Sequence, residues 1–436
     1  MRSLLAILLA LSALSAHAAD RYVRPGASGN GSGSDWTNAY TSLPSSLNRG
    51  DTYWLADGGY GSRTFNDQMS GSSVITLKKA TPAAHGTSTG WSDSYGSGQA
   101  TFNDMNFDSG YYVIDGAKRN ESDWTNSAAY GIRNTGSLYS SRLSSSSGNC
   151  ADNLTFRYVD VGANVGSGVS SAPSSGLYLG GFGGGSLACE NWTLHRSHVH
   201  NTKIHIQCAG CNGLLVEYTH FGTGWGKEAI RGQVFASNMT VRNSVFKDSC
   251  QRDPGDSTSG CTAEIALWDG SGFDNNEVYG NVFYKTTNEI NTGGVVVIGG
   301  NGVSWVGPGA TNAKVFNNTM SGYKDGTSIV VLNGSGNACR NNLWYGIAGG
   351  VGTGCNASSA SNNAVLSSSP FIGAAQGDFR LAVGTQAGTA LGSPYDVDMK
   401  GAKRGADGVW DIGAYEFSAG GTAVQQLSPP INLTVF

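Results

Sequence analysis

The chain has 436 residues, with 65 Gly and only 27 Lys and Arg against 31 Asp and Glu. Gly at about twice its usual share and charge at about half exclude a charge-rich coiled coil and a polyelectrolyte tail, and the Gly lack the three-residue period of collagen. Hydrophobic residues at 39% exclude a disordered chain, and a formal charge of −4 gives no reason to expect a nucleic-acid partner.

In chain order, residues 1–18 read as a secretory leader. Arg2 is the positive end, Leu4 to Leu14 is an apolar run too short to cross a bilayer, and Ala16-His17-Ala18 fits the cleavage pattern. A globular region over 19–417 follows, and then a linker-like tail over 418–436 that contains Ser428-Pro429-Pro430. No other apolar run approaches the length of a membrane span, and a secreted monomer without membrane insertion is expected, extracellular or periplasmic. Eight cysteines suit an oxidising compartment. Close spacing pairs Cys250 with Cys261, Cys339 with Cys355 and Cys208 with Cys211, and Cys150 with Cys189 follows by elimination. A zinc site at Cys208-x-x-Cys211 lacks a second pair.

The middle of the chain repeats. Seven short β-prone segments start at Asn153, Asn191, Asn212, Asn238, Asn275, Asn312 and Asn337, at steps of 38, 21, 26, 37, 37 and 25 residues. The third residue after each Asn gives Phe156, Leu194, Leu215, Val241, Val278, Val315 and Arg340. The eighth gives Val161, Val199, His220, Phe246, Phe283, Met320 and Tyr345. Asn243, Asn317 and Asn342 share the fifth position, and Asn281 and Asn318 the sixth. A second apolar strand follows five of the repeats: KIHIQ from Lys203, KEAIR from Lys227, EIALW from Glu264, VVVIG from Val295 and SIVVL from Ser328. Two or three short strands per repeat describe one coil of a parallel β-solenoid, with loops inserted in the longer coils. A coil cannot bury its apolar face alone, and stacking makes one continuous core. A β-sandwich has similar strand spacing but does not explain the recurring Asn-headed pattern.

With the opening RYVRPGASGNGSGSDWTNAYTSL, the segment GDTYWLADGGYG at Gly50 to Gly61 and DIGAYEF at Asp411 to Phe417, the chain resembles the secreted right-handed parallel β-helix proteins, the pectate-lyase-like group. DIGAYEF resembles their closing strand. The resemblance implies a single-stranded all-β solenoid with a polysaccharide as partner. Members include lyases, hydrolases, epimerases and proteins without known catalysis. Pectate lyases of this group carry R-x-P-x-x-R; here Arg252-Asp253-Pro254 has no second Arg. Polygalacturonases carry Asp-Asp and Gly-His-Gly, which are absent. Alginate and chondroitin lyases use a Lys and an Arg on neighbouring coils, which Lys203 or Lys227 with Arg231 resembles.

Five of the seven histidines fall within residues 195–231. Strand alternation turns Ile204, Ile206, Ile230, Ile265 and Leu267 inward and Lys203, His205, Gln207, Lys227, Arg231, Glu264 and Trp268 outward. Stacked at ~4.8 Å, these outward residues form one patch, with Asp269 past the strand end. β-Elimination beside a uronate needs a neutralised carboxylate, a base for the C5 proton and an acid for the leaving oxygen. Lys227, His205 and Lys203 are the candidate bases, Arg231 the carboxylate partner, and Glu264, Trp268, His220 and Gln207 the substrate contacts. Glu228 and Asp269 are candidate Ca²⁺ ligands. The expected function is a lyase of an acidic polysaccharide. The alternatives are a glycoside hydrolase, with carboxylates drawn from Glu228, Glu264 and Asp269, and a carbohydrate-binding solenoid without catalysis. His195-x-x-His198-x-His200 puts His198 and His200 on one strand face and His195 on the other, which leaves a zinc site one ligand short.

Overall fold

A computed structural model describes residues 18–140, 150–162, 175–180, 189–251, 261, 263–270, 272–287, 294–299, 309–323, 329–331, 334–347 and 355–418. Residues 1–17 of the leader, 419–436 of the tail and Arg252-Asp253-Pro254 lie outside them. Among the described residues the chain is all β apart from three-residue 3-10 turns at Asp93–Tyr95, Ser127–Ala129 and Ala374–Gln376.

Strands stack coil on coil. A twelve-stranded parallel sheet runs from Asp20–Val23 to Ser359–Ser361, one strand per coil. A nineteen-stranded sheet forms two further walls. They part after Ala100–Phe107, which pairs with both Ile132–Asn134 and Leu138–Ser140. The second wall then continues through Val159–Gly162, His198–His200, His220–Phe221 and Val245–Lys247. The third continues through Ser175–Gly180, Ile204–Ala209, Ile230–Val234 and Ile265–Gly270.

The corner residues set the register. Asn153, Asn191, Gly213, Asn238, Asn275, Asn312 and Gly336 all have φ between 55° and 78°, where Asn and Gly carry the least penalty. On the outside Asn191 donates to Asn153, Asn275 to Asn238 and Asn312 to Asn275 through their side chains, a ladder of the kind that stacked turns permit. Two expected columns shift by one residue as a result. Gly213 rather than Asn212, and Gly336 rather than Asn337, takes the left-handed corner, so Val216 replaces Leu215 and Cys339 replaces Arg340 in the first column. Likewise Phe221 replaces His220 and Trp344 replaces Tyr345 in the second. Val199, Phe221, Phe246, Phe283, Met320 and Trp344 are fully buried in one inner stack. Phe221 and Phe246 stack at 4.5 Å, and Phe246 and Phe283 at 4.6 Å.

The next corner falls five residues on, at Tyr158, Arg196, Tyr218, Asn243, Gly280, Asn317 and Asn341, again with positive φ. Asn341, not Asn342, holds this fifth position. Asn342 instead joins Asn281 and Asn318 at the sixth, where an inner ladder links Asn281 to Asn318, Asn318 to Asn342 and Asn342 to Asn363. The four disulfides are Cys150–Cys189, Cys208–Cys211, Cys250–Cys261 and Cys339–Cys355.

The outer face of the second wall is covered along much of its length. Residues 116–131 lie over its earlier coils. Arg119 donates to Tyr218 O and pairs with Glu121 at 2.9 Å, and Glu121 pairs with Arg196 at 2.6 Å. The C-terminal segment covers the later coils, where Phe371, Phe379, Met399, Ile412 and Ala414 bury Val282, Leu343 and Ala364. DIGAYEF therefore adds no closing strand. Gly413 and Ala414 donate to Asn341 O and Thr319 Oγ1 as an irregular cover, and the buried Arg404 holds the carbonyls of Gly413 and Ala414.

Candidate functional site

On the third wall, the register aligns Tyr178, Gln207 and Arg231 on consecutive coils. Their strand neighbours Leu177, Leu179, Ile206, Cys208 and Ile230 lie in the core, so these three point away from it, Tyr178 and Gln207 buried and Arg231 half-buried. Gln207 accepts from Ser175 Oγ at 3.1 Å and donates to Gln233 Oε1 at 3.0 Å. Arg231 keeps 21% of its side chain exposed, with Glu228 Oε2 at 3.9 Å from its Nε. Trp268 packs partly buried on Ala263, Ala266 and Val297. Lys227 is exposed in the turn before Ile230, and Lys203 is half-buried after the Thr202–Gly224 bridge. Burial pushes the Tyr178 phenol up to about 12.

His205 and Glu264 do not join this surface. They share the column that precedes Ile206, Ile230 and Ile265, and both are 0% exposed. That column faces the corner between the second and third walls, and the corner supplies its partners. His205 Nε2–H donates to Gly222 O at 2.8 Å, its Nδ1 lies 2.7 Å from Thr202 Oγ1, and its ring stacks on Phe221 at 5.9 Å. Burial, against the Gly222 bond, pushes it down to about 3. Glu264 pairs with Lys285 at 2.8 Å and accepts from Ser249 Oγ and Tyr323 OH. Simple alternation fails because the corner bends this position inward.

His220 is also misplaced by the sequence pattern. It belongs to the outer column of the second wall, which runs Arg133, Asp160, His198, His220. That column and His200 gather into one titratable cluster. Asp160 Oδ1 accepts from His198 Nδ1–H at 2.8 Å and His200 Nε2–H at 3.1 Å. Arg133 Nε stands 3.5 Å from Asp160 Oδ2. Ser127 Oγ, from the covering loop, lies 3.4 Å from His198 Nδ1 and 3.1 Å from His200 Nε2. Tyr130 covers the His198 ring at 6.0 Å. Gly162 makes room for the His200 ring, since a Cβ there would come within 2.5 Å of Nε2. Asp160 is fully buried; burial opposes its charge, but the His198 and His200 hydrogen bonds outweigh this and hold its carboxyl well below the usual range. Burial, against the Asp160 bond, pushes His198 down to about 4 and drives His220 well below its ordinary value. His195 pairs elsewhere, with Glu217 at 2.9 Å.

Asp160, His198 and His200 offer three ligand atoms within 4.8 Å of one another. Ca²⁺ takes six to eight oxygen ligands, and a carboxylate shared with two imidazoles and an arginine does not fit it. Glu228 is buried beside Arg231 rather than in an oxygen cage, and the Asp269 side chain lies outside the described residues. Sequence reasoning missed Asp160. The signal was present: Asp160 is seventh after Asn153, as His198 is seventh after Asn191.

No protein-family model matches the chain, and no curated protein matches it. Among solved structures it resembles the crystal structure of pectate lyase Pel9A, at 16% identity and a TM-score of 0.54, over 92% of this chain and 97% of that one. That likeness and the stacked ladders agree: the chain folds as a right-handed parallel β-helix.

Proposed function

We propose that the protein is a secreted polysaccharide lyase that cleaves a uronate-containing glycan by β-elimination. The observation that carries the reading is the outward column of Tyr178, Gln207 and Arg231 at mid-solenoid, with the exposed Lys227 four residues before Arg231. Arg231 takes the C6 carboxylate and stabilises the charge that develops when the C5 proton leaves. Lys227, or Lys203 from the preceding coil, is the base that removes that proton. The electron pair forms the C4–C5 double bond, the C4–O bond breaks, and a proton from water or the Tyr178 phenol reaches the leaving oxygen. Gln207 hydrogen-bonds a sugar hydroxyl, and the Trp268 ring gives a sugar a stacking face. His205 and Glu264 are left out because both are sealed in the corner. No step passes through Ca²⁺, for the donor-set reason given above.

The hydrolase alternative needs two carboxyl groups roughly 5–9.5 Å apart across the bond. Glu264 is locked by Lys285, Ser249 and Tyr323, which disfavours it as one of the pair. The reading is tested by incubating the mature protein with alginate, pectate, chondroitin, hyaluronan and glucuronan and following the ultraviolet absorbance of an unsaturated uronate. A rise on one substrate supports it, and no rise on any of the five refutes it.

A further inference from the structure

Four electron-pair donors converge beneath the loop 116–131: Asp160 Oδ1, His198 Nδ1, His200 Nε2 and Ser127 Oγ. In a tetrahedral zinc site, with metal–ligand distances of about 2.0–2.1 Å, neighbouring donor atoms stand ~3.3 Å apart. Four of the six edges of this tetrahedron are measured, at 2.8, 3.1, 3.4 and 3.1 Å. Hydrogen bonds already join these four atoms, with both ring nitrogens at one carboxylate oxygen and the Ser127 hydroxyl against the same two nitrogens, so the donors are gathered before any ion enters.

We infer that Asp160, His198 and His200 form a binding site for a divalent first-row transition metal, with Zn²⁺ as the fitting ion and the fourth position at Ser127. Two imidazoles and one carboxylate are the donor set such ions favour, and it is too nitrogen-rich for Ca²⁺. The neighbourhood is built for holding ligands in place. Arg133 places its charge 3.5 Å from the other oxygen of Asp160, in the position of an outer-shell partner. Gly162 leaves the space that the His200 ring fills, and Tyr130 closes over His198. The ligands come from two successive coils and the fourth position from the covering loop, so a bound ion ties that loop to the solenoid. This inference does not depend on the lyase reading.

The test uses untagged mature protein, stripped with a chelator, dialysed and reloaded with Zn²⁺ or Co²⁺, with metal counted by plasma mass spectrometry. About one Zn²⁺ per chain is expected, with the visible d–d absorption of nitrogen-ligated, low-coordinate Co²⁺. Asp160→Asn and His200→Ala should each weaken uptake by roughly 10–100-fold or more, while His195→Ala, off the cluster, keeps it. Circular dichroism identifies any variant that fails to fold, and the wild-type result decides the matter without it. Less than ~0.1 equivalent on the reloaded wild type, or uptake that survives in folded Asp160→Asn and His200→Ala, overturns the site and leaves a hydrogen-bonded histidine pair.

Discussion

His205 gives a pH dependence that can be worked from its surroundings. The ring is sealed between Thr202, Gly222 and Phe221, and burial pushes its pKa down to about 3. In the unfolded chain a histidine titrates near 6.5. The folded pKa is the depressed one, so its contribution is fully present above about pH 6.5 and is lost as pH falls toward 3. Over that window the unfolded chain binds a proton that the folded chain refuses. At about pH 5 the loss from this one group is ~2 kcal/mol. Guanidinium unfolding of wild type and His205→Gln, followed by tryptophan fluorescence at about pH 8 and about pH 5, isolates it. The Gln variant should start less stable, because it gives up the Thr202 contact and the stack on Phe221. It should then lose ~2 kcal/mol less than wild type on acidification. Equal losses in the two proteins refute the claim that His205 is held neutral by burial.

Asn318→Ala should cost about 3–5 kcal/mol, since it strands the Asn281 N–H and the Val278 carbonyl in the core. Asn312→Gly, on the exposed ladder, should cost less than ~1 kcal/mol in the same denaturation assay. Non-reduced peptide mapping should recover Cys250 linked to Cys261, a closure of a loop of about a dozen residues worth roughly 3 kcal/mol; free thiols at both positions contradict it. Arg231→Ala should lower turnover on the acidic glycan by about 10²–10³-fold, while Lys314→Ala, whose side chain pairs with Glu277, stays within a few-fold. Full activity in Arg231→Ala moves the site elsewhere.

The solenoid was legible because its corners recur. An Asn in the left-handed region leaves a mark that core residues, free to interchange among Val, Leu and Phe, do not. The register failed at Asn212 and Asn337, where Gly213 and Gly336 carry the corner instead; Gly does that job without standing out in a chain that has 65 of them. Three cysteine pairs were readable from close spacing and Cys150–Cys189 by elimination, and the structure pairs all four the same way. The outward patch was only partly legible. Gln207 and Arg231 follow strand alternation, but His205 and Glu264 sit where the chain turns a corner and period-two reasoning does not apply. The imidazole cluster was half seen. His198 and His200 share a strand face, yet their carboxylate lies on the preceding coil, 38 residues from His198, and becomes visible only once coils are aligned from the corner residue. The role of DIGAYEF was hidden for another reason: its alternating apolar residues bury as well against the outside of a sheet as in a strand.

Elimination and hydrolysis differ in the fate of water. A digest of the responsive glycan in heavy-oxygen water, read by mass spectrometry, makes that measurement. The lyase account predicts fragments that carry an unsaturated uronate at the new non-reducing end and no heavy oxygen at the new reducing end. Saturated fragments that carry one heavy oxygen each would contradict it and establish a hydrolase.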